Sequence, residues 1–274
     1  MDKNRKEELM AVASEVRKDI VRMVGVARSG PLDIPLSVAE ALVFLYWEEM
    51  LVVAEDPRRD DRDRFLLGMK DAVPALYAVL ARRGYFKRDE LWHYRRLGAI
   101  LQALPDPRRV PGIDAPCITV GPELAVASAL ADSLVKGKLE QRVFCLSGCD
   151  VFQLRDFHLE AKRAAKAGLY NLFLLISLSA KGKAMRGGDM DEHKKTMCEY
   201  GWTVMSVDGC DFDDMERTFS QCEPLQSRPK VIFIDNKNGS GISFVDAKPS
   251  RHARLMSMDD MDQALEELEG NANG

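Results

Sequence analysis

The chain has 274 residues, with 39 Lys plus Arg against 43 Asp plus Glu and a formal net charge of −4. That length can bury a sizeable core in one or two domains. The charge balance excludes a general attraction to nucleic acid or an anionic membrane, and basic clusters such as Arg108-Arg109 and Lys181 to Arg186 are short enough to read as solvated faces.

Residues 4–28 read as a helix, because Leu9, Val12, Ala13, Val16, Ile20, Val21 and Val24 recur at spacings of three and four. Ser29-Gly30-Pro31 stops it, residues 31–36 read as a loop, and Ser37 is placed to cap a second helix over Val38 to Val52. A charged loop over 55–64 leads into a short strand at Phe65-Leu66-Leu67. Asp71 to Arg82 reads as a helix with Pro74 in its first turn, and 88–98 as a short helix. Residues 101–121 hold four prolines and little periodicity, the composition of an extended loop. A loop this long in a compact domain is usually functional or lies against a partner. Pro122 to Lys136 is an alanine- and leucine-rich helix.

From Val143 to Lys183 the chain reads strand, turn, helix, strand, turn: Val143 to Leu146 closed by Ser147-Gly148, Phe157 to Gly168, then Asn171 to Leu178. At this length the unit is a parallel crossover, and the turn after its first strand is where such folds bind ligands. Residues 184–202 are polar, then helical; Trp202 to Val207 and Lys230 to Asp235 are strands, with a helix over 212–222 between them. The tail over 257–274 carries a short acidic helix and an end expected to fray. The alternation predicts an α/β fold, a mostly parallel sheet flanked by helices on both faces. Neither a repeat nor a linker divides residues 1–274, so a single domain is expected.

No secretory signal is visible in MDKNRKEELM, and the apolar runs are strand-length, short of the roughly 20 residues of a membrane helix. The six cysteines (Cys117, Cys145, Cys149, Cys198, Cys210 and Cys222) form no CxxC pair and read as reduced thiols of a cytoplasmic protein. Cys149 follows a strand, where a helix N-terminus would lower its pKa, but a structural thiol is the favoured reading. His158 reads as a packing residue, and His93 and His193 as surface residues. Lys181-Gly182-Lys183 with Arg186 reads as a solvated loop or a receiver for a phosphorylated ligand.

A series of strings, in order, carries a resemblance: Arg28-Ser29-Gly30, Leu36-Ser37, DRDRFLL at 61–67, AVPALYAVLARRGYF at 72–86, LQALPDPRRVPGI at 101–113, YNL at 170–172, YGW at 200–202, VDG at 207–209 and GSGISF at 239–244. In this order and spacing the chain resembles the N-terminal half of transketolase, most of all the separate N-terminal subunit of split enzymes, over roughly residues 8–255. The resemblance implies a thiamine-diphosphate fold in which this half holds the cofactor's diphosphate through a divalent metal. A C-terminal-half partner would supply the rest of the site, in a heteromer or a dimer of heterodimers.

The departures fall on the positions that the family uses for chemistry. The family's Gly-His-Pro-Gly-Gly is Gly30 followed by Pro31 to Ile34, its Lys-Gly-His is Met69-Lys70-Asp71, and its Gly-His-Pro is Ala103-Leu104-Pro105. Its Gly-Ser-Leu-Gly-Gln-Gly falls on Ile118 to Glu123, keeping Gly121. Its Gly-Asp-Gly-Glu falls on Gly148-Cys149-Asp150-Val151, so the metal-binding aspartate is Cys149, and the following Glu-Gly pair falls on Leu154-Arg155. The metal-binding asparagine falls on Ser179, the aspartate two before it on Ser177, and the histidine after Val-Asp-Gly on Cys210. His252 alone matches a family histidine and is the one catalytic candidate.

Magnesium and calcium take hard oxygen ligands, and a thiol is poorly matched to them. A shifted alignment would put Asp150 on the metal position, without the glycine after it or the asparagine partner. The set Gly121, Gly148, Cys149, Asp150, Ser177 and Ser179 therefore reads as a degenerate cofactor site with no metal site expected. The favoured expectation is a subunit that binds no cofactor by itself and acts structurally or in regulation. The alternative is an active two-carbon transferase using thiamine diphosphate with Mg or Ca, its site completed by the partner.

Overall fold

The computed structural model describes residues 1–116, 121–178, 190–235, 242–247 and 256–272. Among the described residues, five strands form one parallel sheet: β1 (Arg64–Leu67), β2 (Val143–Gly148), β3 (Leu172–Leu178), β4 (Thr203–Asp208) and β5 (Lys230–Asp235), in the order β1-β2-β3-β5-β4. The helices are α1 (Lys3–Ala27), α2 (Asp33–Ser37), α3 (Ala39–Phe44), α4 (Val73–Arg83), α5 (Pro122–Lys136), α6 (Arg155–Lys166), α7 (Met190–Tyr200), α8 (Phe212–Cys222), α9 (Ser243–Ala247) and α10 (Met258–Ala272).

Two apolar layers follow from side chains alternating across the strands. Phe65, Leu67, Phe144, Leu146, Phe173, Leu175, Ile232 and Ile234 face a core built with α1, α3, α4, α8 and α10. Phe144 and Phe173, paired in register across β2 and β3, stack with ring centroids 4.9 Å apart. Their sequence neighbours Val143, Cys145, Leu172, Leu174, Val231 and Phe233 face the other way, onto Leu124 and Ala127 of α5, Phe157 and Ala161 of α6, and Met197 of α7. Near-continuous apolar runs are what a sheet covered on both faces requires. Among the described residues no helix is long and apolar enough to cross a membrane.

The sheet, its crossover unit and the helix at 122–136 match the sequence reading; several local features differ. The loop expected over 31–36 is largely helical, since Pro35 lies in the first turn of α2, where a missing N–H costs nothing. Ser37 ends α2 rather than capping the next helix, and its Oγ donates to the Ile34 carbonyl at 2.8 Å. The helix expected to run to Val52 passes into a π turn over Leu45–Glu49, closed by Met50 N donating to Leu45 O at 2.8 Å. The short helix expected over 88–98 is a 3₁₀ turn at Arg88–His93.

The acidic tail is a 15-residue helix rather than a short one, and Met261, Ala264 and Leu268 bury its inner face, so α10 packs on α1. The long loop is irregular as expected but anchored. Tyr77 Oη donates to Gln102 O at 2.9 Å, and Asp114 accepts from Phe65 N at 2.8 Å and from the Arg62 guanidinium.

Candidate functional site

The carboxyl ends of β1, β2 and β3 meet the N-terminus of α5, the place where an open parallel sheet presents its cleft. Gly68 extends β1, with its N–H donating to Leu146 O at 2.8 Å. Ser147 and Ser177 are buried at the ends of β2 and β3, and Gly148 pairs in register with Ser177. A 3₁₀ turn over Cys149–Gln153 then carries the chain across the strand ends into α6.

Cys149 is buried in that turn, against the apolar layer under α5 and α6. Burial, helped by the charge of Asp150, pushes its thiol above the usual range. A reactive thiolate needs the opposite shift. Asp150 is half-buried, and its Oδ1 lies 2.7 Å from where a Gly148 Cβ would stand. Gly148 is thus the residue that lets the Asp150 carboxylate fold back over the strand end. Gly121 has φ +119°, and a Cβ there would meet Leu154 Cδ1 at 2.8 Å. Leu154, which the sequence resemblance sets against a family glutamate, lies directly over that glycine.

An aromatic cluster walls the turn. Phe152 stacks on His193 with centroids 4.2 Å apart and planes 10° apart, so His193 is half-buried rather than on the surface. Its helix α7 packs against α6, and this brings the ring inward. His158 packs as expected and also bonds at both nitrogens: Nε2 to Phe152 O at 2.8 Å and Nδ1 to Tyr200 Oη at 3.1 Å. A carbonyl only accepts, so Nε2 carries a proton.

The structure brings Gly121, Gly148, Cys149, Asp150 and Ser177 to one group of strand ends. Ser179 and His252 lie outside the described residues. Among the described residues, no group of three or more His, Cys, Asp or Glu is arranged to hold a metal ion.

Glu123 is the residue that the sequence reading passed over. It is buried in the first turn of α5; its Oε2 accepts from Gly121 N at 2.5 Å and its Oε1 from Ser147 Oγ at 2.8 Å. Burial foremost, with Asp150 adding to it, raises its pKa, while its hydrogen bonds work against the shift. Its position at the last glycine of the family's glycine-rich string was the signal that could have marked it.

A parallel sheet clothed on both faces, with its cleft at the strand ends beside α5, defines a layered α/β domain of the kind that binds ligands at its strand ends. The chain belongs to the transketolase family, since the model described as "Transketolase, thiamine diphosphate binding domain" matches residues 9–272. It is similar to the 6-deoxy-6-sulfo-D-fructose transketolase subunit SqwG of Clostridium sp. (strain MSTE9), 27% identical over 271 residues and covering 96% of each chain. It is 25% identical over 268 residues to one of the subunits of the apulose-4-phosphate transketolase of Phocaeicola vulgatus, covering 96% of this chain and 94% of that one. Human transketolase is 26% identical, over 97% of this chain but 43% of its own length. Among solved structures, transketolase from Pichia stipitis in complex with sedoheptulose-7-phosphate superposes with a TM-score of 0.83 at 19% identity, covering 97% of this chain and 44% of that one. This last likeness shows the fold.

Proposed function

We propose that this chain is the N-terminal-half subunit of a split transketolase-like assembly whose own cleft does not take thiamine diphosphate with a divalent metal. It pairs with a separate C-terminal-half chain, in a heteromer or a dimer of heterodimers, and has a structural or regulatory role there. The observation that carries this reading is the end of β2. A protonated, buried Cys149 thiol stands where the family has a metal-binding aspartate, and Leu154 covers Gly121, whose backbone would have to approach the cofactor. A hard divalent cation gains little from a thiol, and an apolar side chain offers nothing to a diphosphate. The buried thiols Cys145, Cys149 and Cys222 suit a reducing, cytoplasmic setting.

Isothermal titration of the chain with thiamine diphosphate and magnesium, in the presence of its C-terminal-half partner, tests the reading. No saturable heat is expected, and micromolar binding overturns it.

One observation favours a second reading, an active two-carbon transferase. Two relatives that match nearly end to end are both named as transketolase subunits. On that reading the reconstituted pair transfers a ketol group from donor to acceptor, and Cys149→Ala, Asp150→Ala or His252→Ala abolishes the transfer. Full activity in all three variants would remove these residues from the site.

A further inference from the structure

Resting on the reading that the cleft is closed to its family's cofactor, we propose that Glu123 is a built-in ligand: its carboxylate occupies the oxyanion pocket at the head of α5 and so keeps small phosphate-bearing anions out of the cleft.

Three features of the geometry support this. The carboxylate uses both oxygens on the donors that a phosphate oxygen would seek, the Gly121 N–H at 2.5 Å and the Ser147 hydroxyl at 2.8 Å. The Gly121 N–H stands at the N-terminus of a 15-residue helix, where the helix dipole favours negative charge. The side chain fills space that the backbone leaves open, because a Cβ on Gly68 would stand 2.5 Å from Glu123 Cγ and 2.6 Å from its Cδ and Oε1. Position 68 therefore accommodates only glycine while Glu123 is turned inward.

Ordinary helix capping does not account for this placement. A capping glutamate needs only the N–H and gains by remaining hydrated. Glu123 is 8% exposed and reaches across 24 residues of sequence to a buried hydroxyl. The hydrogen-bond partners described for it are neutral, and nearby Asp150, of the same sign, raises its pKa. An incoming phosphate would meet two carboxylates and find both pocket donors engaged. The family's string agrees, since it ends on glycine at this position.

The test is titration of the full chain with inorganic phosphate and with inorganic diphosphate, followed by calorimetry and by ³¹P line broadening. The wild type is expected to show no saturable binding. Glu123→Ala and Glu123→Gly are expected to bind at least tenfold more tightly than wild type, the alanine variant keeping a helix-forming residue if glycine loosens the first turn. Adding Ser147→Ala to Glu123→Ala should reverse the gain. Glu123→Gln keeps the volume and should gain nothing. Folded alanine and glycine variants that bind no better than wild type overturn the proposal, as does an equal gain in Glu123→Gln. Binding of thiamine diphosphate with magnesium by the partnered wild type overturns the proposed function whatever the variants do. Failure of the variants alone, with the wild type still inert, removes only the role of Glu123.

Discussion

Lys230 opens β5 and is only 2% exposed, its Nζ donating to the Tyr170 carbonyl and lying 5.0 Å from the centroid of the Phe173 ring. Burial foremost, with Arg142 adding to it against the opposing pull of Cys222, lowers its pKa to about 8. The unfolded chain holds this proton up to about 10.5, the ordinary value. Between pH 8 and 10.5 the unfolded state therefore binds more protons than the folded one, and stability rises with pH across that window. Below pH 8 both states are charged and the folded state carries the whole cost of the buried ammonium, at most about 3 kcal/mol. Lys230→Met should accordingly raise stability at pH 7, and the gain should shrink as the pH approaches 10.5. Urea unfolding at several pH values checks this, and a gain that grows with pH would contradict it.

Legibility at the residue scale was uneven. That Cys149 is buried was readable, since an apolar strand precedes it and an apolar pair, Val151-Phe152, follows Asp150. The role of Glu123 was not, because it depends on a hydroxyl and a missing side chain contributed by two other strand ends. No periodicity encodes a convergence of Gly68, Glu123 and Ser147. His193 was misplaced for the same reason, since its burial depends on Phe152 of another element.

At the scale of elements, the long loop before α5 is pinned rather than free. Arg62 and Asp114 form an ion pair whose side chains are 10% and 6% exposed, with Nη1 to Oδ2 at 3.0 Å. The same carboxylate accepts from Phe65 N, so one residue ties the loop to the start of the sheet. Asp114→Ala leaves a buried guanidinium without its partner and is expected to cost about 3–5 kcal/mol. Arg62→Met added to Asp114→Ala should recover a large part of that, because the unpaired charge is then gone. Denaturant midpoints of the two variants give the comparison, and equal losses would show that the charge is not what matters. The strands and longer helices were legible because their apolar spacing is strong. The stretch 31–37 was not, because Gly30, Pro31 and Pro35 read as breakers although one turn of helix accommodates Pro35.

At the scale of the whole molecule, the parallel sheet of the described residues is covered on both faces, the frame on which a partner chain would assemble. Mixing this chain with a C-terminal-half chain should give a species of combined mass in light scattering. A ligand that binds only the folded state raises its melting temperature, and the partner should do the same. Separate elution of the two chains over a range of concentrations would rule out the assembly. The general architecture was readable from alternating strands and helices; the order β1-β2-β3-β5-β4 was not, since no local pattern tells β5 to insert between β3 and β4.

The inward carboxylate of Glu123 also bears on supply. A protein that depends on a diffusible cofactor is stabilised in proportion to the logarithm of that cofactor's free concentration, and it weakens when the vitamin is scarce. A ligand tethered within the chain has a local concentration that dilution cannot change. With Glu123 in the role proposed above, the cleft should stay filled and the fold equally firm in thiamine-starved and thiamine-replete cells, where a cofactor-dependent relative would lose stability.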